Sequence, residues 1–267
     1  MAEVAGLYYE VHGPAGAPPV ILSAGLGGSG AYWAPNLDAL AEHHRVILYD
    51  HRGTGRSDRT LPERLTVQDM AGDLIALMGG LGIESASLVG HAAGACIALT
   101  VALDAPERVE GLYLVNGFAR PDPHFVRCFE TRLALLRDSG VAAFVHAQPI
   151  FLYPADWCSW NAERLMDEEA EQLRHFQGAA NVEARIRALL DFDVADRLGE
   201  IRAPTVAIAT DDDVLVPNTC SNLIGEGIAN AVISGIQWGG HACNVTNPAE
   251  FNDMLLSWLA VRLEGVQ

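Results

Sequence analysis

Short, continuously apolar segments alternate with longer amphipathic segments along the first part of the chain. Pro19–Ala24, Arg45–Tyr49 and Val109–Val115 have the composition of strands that are buried on both faces. The stretch after Thr66 instead repeats its apolar side chains every three or four residues, as in a helix that packs on a sheet by one face. Alternation of strands and helices at this spacing predicts an α/β fold, with a mostly parallel sheet and helices on both faces.

The pattern changes between residues 121 and 200. This segment has no convincing strand, and its stretch at residues 148–157 is unusually aromatic for a linker between amphipathic helices. Strand patterns resume near Pro204 and Val232, and a closing helix is predicted over Phe251–Arg262. We therefore predict one α/β core, formed by residues 1–120 and 201–267, with a helical cap inserted at residues 121–200. The predicted cap helices span Phe125–Arg137, Glu163–Phe176 and Val182–Leu190.

Composition narrows the classes of function. The chain has 267 residues, of which 50% are hydrophobic, and a net charge of −17. Phosphate contacts require clustered basic residues, so this charge argues against nucleic-acid binding. Five cysteines without C-x-x-C spacing indicate a reduced, cytoplasmic protein, and no apolar run is long enough to cross a membrane. No group of His, Cys and carboxylate residues has metal-ligand spacing, so we expect no metal and no cofactor.

The candidate chemistry concentrates at a strand–helix junction. Ser87–Val89 is a short apolar strand, and it runs into Gly90-His91-Ala92-Ala93-Gly94 ahead of a helix rich in small residues. This is the layout of the G-x-S-x-G nucleophile elbow, in which the serine position holds Ala92. The two glycines allow a sharp turn with close backbone approach. Taken alone, the pattern also fits an ordinary strand–helix turn.

A second segment supports the elbow interpretation. Asp50–Ser57 reads D-x-R-G-x-G-x-S, and together with the elbow it resembles the α/β-hydrolase superfamily. The resemblance implies an acid in the loop after the next-to-last strand and a histidine after the last strand, in the chain order elbow, acid, base. Asp213 and His241 match these positions, as catalytic acid and base. Asp211 and Asp212 are close enough in sequence to leave the choice of acid open.

The same resemblance assigns an oxyanion hole to the loop Gly25–Gly28. Its donors are expected to be the backbone N–H groups of Leu26 and Ala93, which the absence of a serine side chain does not remove. Cys243 lies near the catalytic histidine, but a fold built on an elbow carries its nucleophile there, so the cysteine is not favoured. Among the other histidines, His91 is interpreted as a packing residue. The histidines predicted to be solvated are His43, His44, His124 and His146.

Four further runs narrow the resemblance and cover nearly the whole chain, including the cap. They are similar to the D-protein family of the bacterial pyrimidine-utilisation (Rut) pathway, which is linked to uracil breakdown. The resemblance implies that Ala92 is native and that the activity is hydrolysis of carbamate or 2-aminoacrylate. The runs are Leu26–Trp33, Phe151–Trp157, His175–Gly178 and Gly239–Thr246. The candidate pocket residues for a small-molecule substrate are Gly25, Trp157, His175 and Gln177.

Three hypotheses about function remain open. In the first, the His241–Asp213 pair moves a proton to or from a labile C–N centre, with water in the space of the serine hydroxyl. In the second, a serine esterase or C–C hydrolase was engineered to carry Ala92. In the third, a non-catalytic ligand-binding protein keeps the fold and its pocket. A homodimer is compatible with the sequence, which does not fix the oligomeric state.

Overall fold

The computed structural model describes residues 2–261, and its centre is an eight-stranded sheet. The strands, β1 to β8 in chain order, are Glu3–Val4, Leu7–His12, Pro19–Ser23, Arg45–Tyr49, Ala86–His91, Val109–Val115, Thr205–Thr210 and Ala231–Ile236. Their spatial order is β1-β2-β4-β3-β5-β6-β7-β8. The two pairs that involve β2 are antiparallel, and every pair from β4 to β8 is parallel. The predicted mostly parallel sheet is confirmed, with β6 hydrogen-bonded to β7 across the inserted segment.

Helices cover both faces of the sheet. In the described part of the chain, α1 to α11 are Ala34–Ala41, Val67–Gly80, Ala93–Asp104, Pro123–Ala134, Gly140–Leu152, Ala155–Trp160, Ala162–Arg174, Ala179–Leu190, Asn218–Gly227, Cys243–Thr246 and Pro248–Ala260. Side chains alternate between the faces of β3: Ile21 joins the core under α2, α3 and the cap, whereas Val20 and Leu22 pack with α1 and α11. The central strands are therefore buried on both faces. None of the helices within residues 2–261 is long and apolar enough to cross a membrane.

The D-x-R-G-x-G-x-S segment forms the turn after β4, and its side chains stabilise that turn. The buried Asp50 carboxylate accepts hydrogen bonds from the backbone N–H groups of Gly30 (2.8 Å) and Arg56 (2.8 Å), and from Arg56 Nε (2.9 Å). A Cβ at Gly55 would overlap this carboxylate, so only glycine fits there. Hydrogen bonds to Asp50 therefore hold the two ends of the segment together and fix the loop that carries His51.

The segment between β6 and β7 is helical, and residues 121–200 contain no strand. The predicted cap helices correspond to α4, α7 and α8. The aromatic stretch at residues 148–157 is mostly helical, because α5 continues to Leu152 and α6 begins at Ala155. Pro149 lies in the last turn of α5, where its missing N–H disrupts little of the helix that precedes it. Proline therefore marks the end of a cap helix here and not a loop.

Smaller differences concern helix ends and one histidine. The start of α2 is confirmed, since Thr66 Oγ1 accepts from the Asp69 N–H at 3.1 Å in a capping box. The closing helix ends at Ala260, and Arg262 lies outside the described residues. His44, predicted to be solvated, is buried in the turn between α1 and β4, and burial lowers its pKa. The pattern of the sequence did not indicate β1 or α9.

Candidate active site

The junction of β5 and α3 has the geometry of a nucleophile elbow. Ala92 has φ 48° and ψ −105°, a conformation that residues with a side chain rarely adopt. A Cβ at Gly90 would overlap the Gly94 carbonyl, and a Cβ at Gly94 would overlap the Ser23 carbonyl, so both positions require glycine. Such strained conformations cost about 1–3 kcal/mol and cluster at functional sites. The strained turn is therefore present although its side chain is only a methyl group.

The loops after β7 and β8 bring an acid and a base together. His241 Nδ1 and Asp213 Oδ2 are 2.7 Å apart, and both side chains are buried. A carboxylate can only accept, so Nδ1 carries a proton and donates it, which leaves Nε2 as the nitrogen that can take up a proton. The other carboxylate oxygen of Asp213 accepts from the N–H groups of Leu215 (2.8 Å) and Val216 (2.9 Å). Both oxygens of the acid are therefore held in place.

The three neighbouring aspartates of this loop differ in what they contact. Asp212 accepts from the backbone N–H of Gly240 at 2.8 Å and anchors the segment that leads into the histidine. Asp211 is exposed at the surface. The pairing that the family resemblance implied, Asp213 with His241, is the one observed.

Two side chains fix the backbone of His241. Its carbonyl oxygen accepts from His91 Nε2 (2.8 Å) and from Asn116 Nδ2 (2.9 Å). Burial, with a smaller contribution from His241, holds the pKa of His91 well below its usual range, so this ring stays neutral. The His91 and His241 ring centroids are 4.6 Å apart. His91 therefore packs at the site, as the sequence predicted, and it also orients the base through a hydrogen bond.

The loop after β3 passes next to the elbow. A Cβ at Gly25 would lie 2.9 Å from His91 Nδ1 and 3.7 Å from the Ala92 methyl carbon. Within residues 2–261, the N–H groups of Leu26 and Ala93 have no hydrogen-bond acceptor. This arrangement is compatible with an oxyanion hole formed by the two N–H groups, and their role stays a prediction.

The elbow and the histidine are buried, and the helical segment 121–200 contacts the histidine loop. Ala92 is 8% exposed and His241 is 2% exposed. The carbonyl of Leu152, at the end of α5, accepts from the Ala242 N–H at 3.0 Å and ties the cap to the histidine loop. The catalytic pair and the elbow therefore lie below the protein surface, next to the end of α5.

The remaining candidate pocket residues differ in burial and in what they contact. Trp157 is buried but packs on Tyr153, with 4.6 Å between ring centroids, at the edge of the cap. Gln177 is half-buried, and its Oε1 has no hydrogen-bond partner within residues 2–261, so it stays a candidate. The His175 side chain is 73% exposed and pairs with Glu171, so contact with substrate stays a prediction for this residue. The residue follows the last turn of α7, where the chain turns through solvent.

Cys243 does not replace the serine as a nucleophile. It is fully buried, and burial raises the pKa of its thiol to about 12. The thiolate is the reactive form of cysteine, and a thiol with this pKa remains protonated near neutral pH.

Sequence reasoning missed two buried arginines in the cap. Arg132 on α4 and Arg185 on α8 are both buried. Arg185 falls on the apolar face of its helix, next to Val182 and Ile186, which are also buried. A charged side chain at an apolar position of a helical repeat is the signal that could have revealed it.

Comparison with known proteins agrees with this geometry. The chain matches the family described as alpha/beta hydrolase fold over residues 18–248, and it belongs to that family. It is also 52% identical over 259 residues to a protein of Caulobacter sp. (strain K31) named "Putative carbamate hydrolase RutD", covering 96% of this chain and 97% of that protein. A protein of the same name from Variovorax paradoxus (strain S110) is 50% identical, with coverage of 95% and 96%.

A solved structure gives the same fold. The crystal structure of the enol-lactonase from Burkholderia xenovorans LB400 has a TM-score of 0.87 and 25% identity, covering 97% of this chain and 99% of that chain. The resemblance to the α/β-hydrolase superfamily and to the Rut D-protein family is therefore confirmed.

Proposed function

We propose that this chain hydrolyses a small, labile C–N compound, carbamate or 2-aminoacrylate, without a serine nucleophile. One observation carries the proposal: a complete His241–Asp213 pair, 2.7 Å apart, belongs to a site whose elbow presents only the Ala92 methyl group. The names of the similar proteins from Caulobacter and Variovorax support carbamate as the substrate class, and their Rut designation supports a place in pyrimidine breakdown.

In the proposed reaction, His241 Nε2 takes a proton from a water molecule that occupies the space of the missing hydroxyl. For carbamate, the water oxygen bonds to the carbonyl carbon, the C–N bond breaks, and the imidazolium returns the proton to the leaving amine. The products are bicarbonate and ammonia. For 2-aminoacrylate, water adds at C2 of the imine tautomer, and loss of ammonia leaves pyruvate. In both reactions Asp213 stabilises the imidazolium.

The rate enhancement that this site can provide is sufficient for a labile substrate. Proton transfer by a positioned side chain contributes about 10²–10⁴-fold, and an oxyanion-hole donor contributes about 2.7–4 kcal/mol. Carbamate and 2-aminoacrylate already decompose in water, so these effects suffice without a covalent intermediate. A stable ester or amide would also need the nucleophile that is missing here.

The test is ammonia release from freshly generated 2-aminoacrylate and from carbamate, with and without the protein. We expect release at least about tenfold faster than the spontaneous rate, because the His241–Asp213 pair supplies the proton transfer. Release at the buffer rate for both compounds would overturn the proposal and leave ligand binding as the function.

A further inference from the structure

In the described part of the chain, Arg185 is a buried cation without an anionic partner. The side chain is 1% exposed, and burial lowers the pKa of its guanidinium to about 10. It donates to the carbonyl groups of Leu26 (3.0 Å) and Gly25 (3.5 Å) and to His51 Nδ1 (2.8 Å). Within residues 2–261 no carboxylate pairs with it, and Nη1 has no hydrogen-bond partner. Its positive charge is therefore uncompensated.

The groups that hold Arg185 are neutral. Burial, together with the charge of Arg185, keeps the pKa of His51 well below its usual range. Because His51 Nδ1 accepts from Arg185, the ring proton is on Nε2, which donates to Ser23 Oγ at 3.1 Å. Ser23 Oγ lies 2.7 Å from the hydroxyl of Tyr49, a phenol whose pKa is raised by burial. This chain of groups fixes the guanidinium but supplies no negative charge.

The guanidinium acts on the loop that carries a proposed oxyanion donor. The Gly25 carbonyl and the Leu26 N–H are the two ends of one peptide unit. A cation that draws electron density toward this carbonyl makes the N–H at the other end a stronger donor. A Cβ at Gly28 would lie 3.0 Å from Arg185 Nη2, so the guanidinium packs directly against the loop. Arg185 therefore makes this loop more positive as a whole.

Arg132 on α4 is a second buried arginine. Arg132 donates to Gln148 Oε1 at 2.5 Å, its Nε has no hydrogen-bond partner within the described residues, and burial lowers its pKa to about 10. It lies one helical turn from Cys128, whose Sγ is 3.7 Å from the Val214 carbonyl in the acid loop. The chain has 34 acidic residues and 17 basic ones, so the missing carboxylates do not reflect a shortage of acids.

We propose that Arg185 selects a small monoanion, a carboxylate or carbamate group, at the oxyanion loop of this site. An isolated buried charge destabilises a folded protein, and a bound anion removes that penalty. The ligand supplies the negative charge, and the Leu26 N–H that Arg185 strengthens donates to it. This inference rests on the proposed function for the location of the site and adds the residue that recognises the charge of the substrate.

The experiment compares two ligands of equal size and different charge, propionate and propionamide, by calorimetry. We expect the protein to bind propionate at least about tenfold more tightly than propionamide, because only the anion compensates Arg185. Arg185→Gln should weaken propionate binding at least about tenfold and leave propionamide binding unchanged, because the variant lacks the positive charge. Arg187→Gln is the matched control: it lies on the same helix, but it is exposed and pairs with Glu183.

Three outcomes would overturn the inference. The first is equal binding of propionate and propionamide by the parent protein, which decides the matter even if Arg185→Gln fails to fold. The second is an Arg185→Gln variant that binds propionate as the parent does. The third is an equal loss of both ligands in that variant, which would indicate a purely structural role.

Failure of this inference and failure of the proposed function can be told apart. If the protein binds propionate through Arg185 but releases no ammonia above the buffer rate, anion recognition stands and the proposed hydrolysis is wrong. If ammonia release is rapid, and Arg185→Gln changes neither the KM nor the propionate affinity, the hydrolysis stands and the role of Arg185 is wrong.

Discussion

Restoring a hydroxyl at the elbow separates the proposed mechanism from serine chemistry. In Ala92→Ser the backbone keeps φ 48° and ψ −105°, since alanine and serine carry the same Cβ and bear the same strain. His241 Nε2, which has no hydrogen-bond partner within residues 2–261, would accept from the new hydroxyl. A net hydrogen bond contributes about 0.5–1.5 kcal/mol, so we expect the free energy of unfolding to change by no more than about 1.5 kcal/mol.

The two activities of Ala92→Ser should respond differently. With a complete triad, the variant should form an acyl-enzyme from a small activated ester, and ester turnover should rise by about 10³-fold or more. Ammonia release from 2-aminoacrylate should stay within about threefold of the parent rate or fall, because the hydroxyl takes the place that we assign to water.

Burst kinetics with p-nitrophenyl acetate and steady-state ammonia release measure these two activities. A double variant that also carries His241→Ala is the control, and it should show no burst. If Ala92→Ser instead raises ammonia release more than about a hundredfold, serine is the natural nucleophile of this site and the reasoning is refuted.

Three further predictions concern stability and the thiol. Burial lowers the pKa of His51 and His91, so below about pH 6.5 the unfolded chain binds more protons than the folded protein. In urea titrations, each ring should therefore remove up to about 1.4 kcal/mol of stability per pH unit as the pH falls. A free energy of unfolding that stays constant over this range would contradict the burial of the two rings as neutral groups. Gly94→Ala should lower the free energy of unfolding by about 3 kcal/mol or more, because the new Cβ would overlap a backbone carbonyl of β3. Gly72→Ala, on α2 with open space around it, should raise the free energy of unfolding by about 0.5–1 kcal/mol. Equal stability of the two variants would contradict the overlap at Gly94. Cys243→Ala should leave ammonia release within about twofold of the parent rate, because a thiol with a pKa of about 12 stays protonated; a large loss would indicate thiol chemistry.

Much of the fold could be predicted from the sequence because local patterns determine it. A strand buried on both faces needs a continuous apolar run, and Arg45–Tyr49 and Val109–Val115 are such runs. The capping box at Thr66 marks the start of α2 by its own hydrogen bonds. Asp213 is preferred over Asp211 and Asp212 because a known family places its acid at this position. Spacing along the chain does not by itself decide which of the three aspartates contacts His241, since that contact is tertiary.

The missed features depend on packing that no local pattern records. The cap helix α5 contains Pro149, which reads as a break until its place in the last turn is known. His175 follows an amphipathic helix, and only the packing of α7 shows that this end faces solvent. Arg185 resembles an ordinary helical arginine until its apolar neighbours are seen to bury it. Positions on helices were therefore predictable, whereas the direction that a cap residue faces was not.

The most direct test of the central claim is steady-state ammonia release from 2-aminoacrylate by the parent and by His241→Ala. His43→Ala is the matched control, since the His43 side chain is 67% exposed and remote from the elbow in the fold. We predict that His241→Ala lowers the rate by about 10²–10⁴-fold, while His43→Ala keeps the parent rate. A His241→Ala protein that releases ammonia as fast as the parent would contradict the claim that this chain moves a proton through His241.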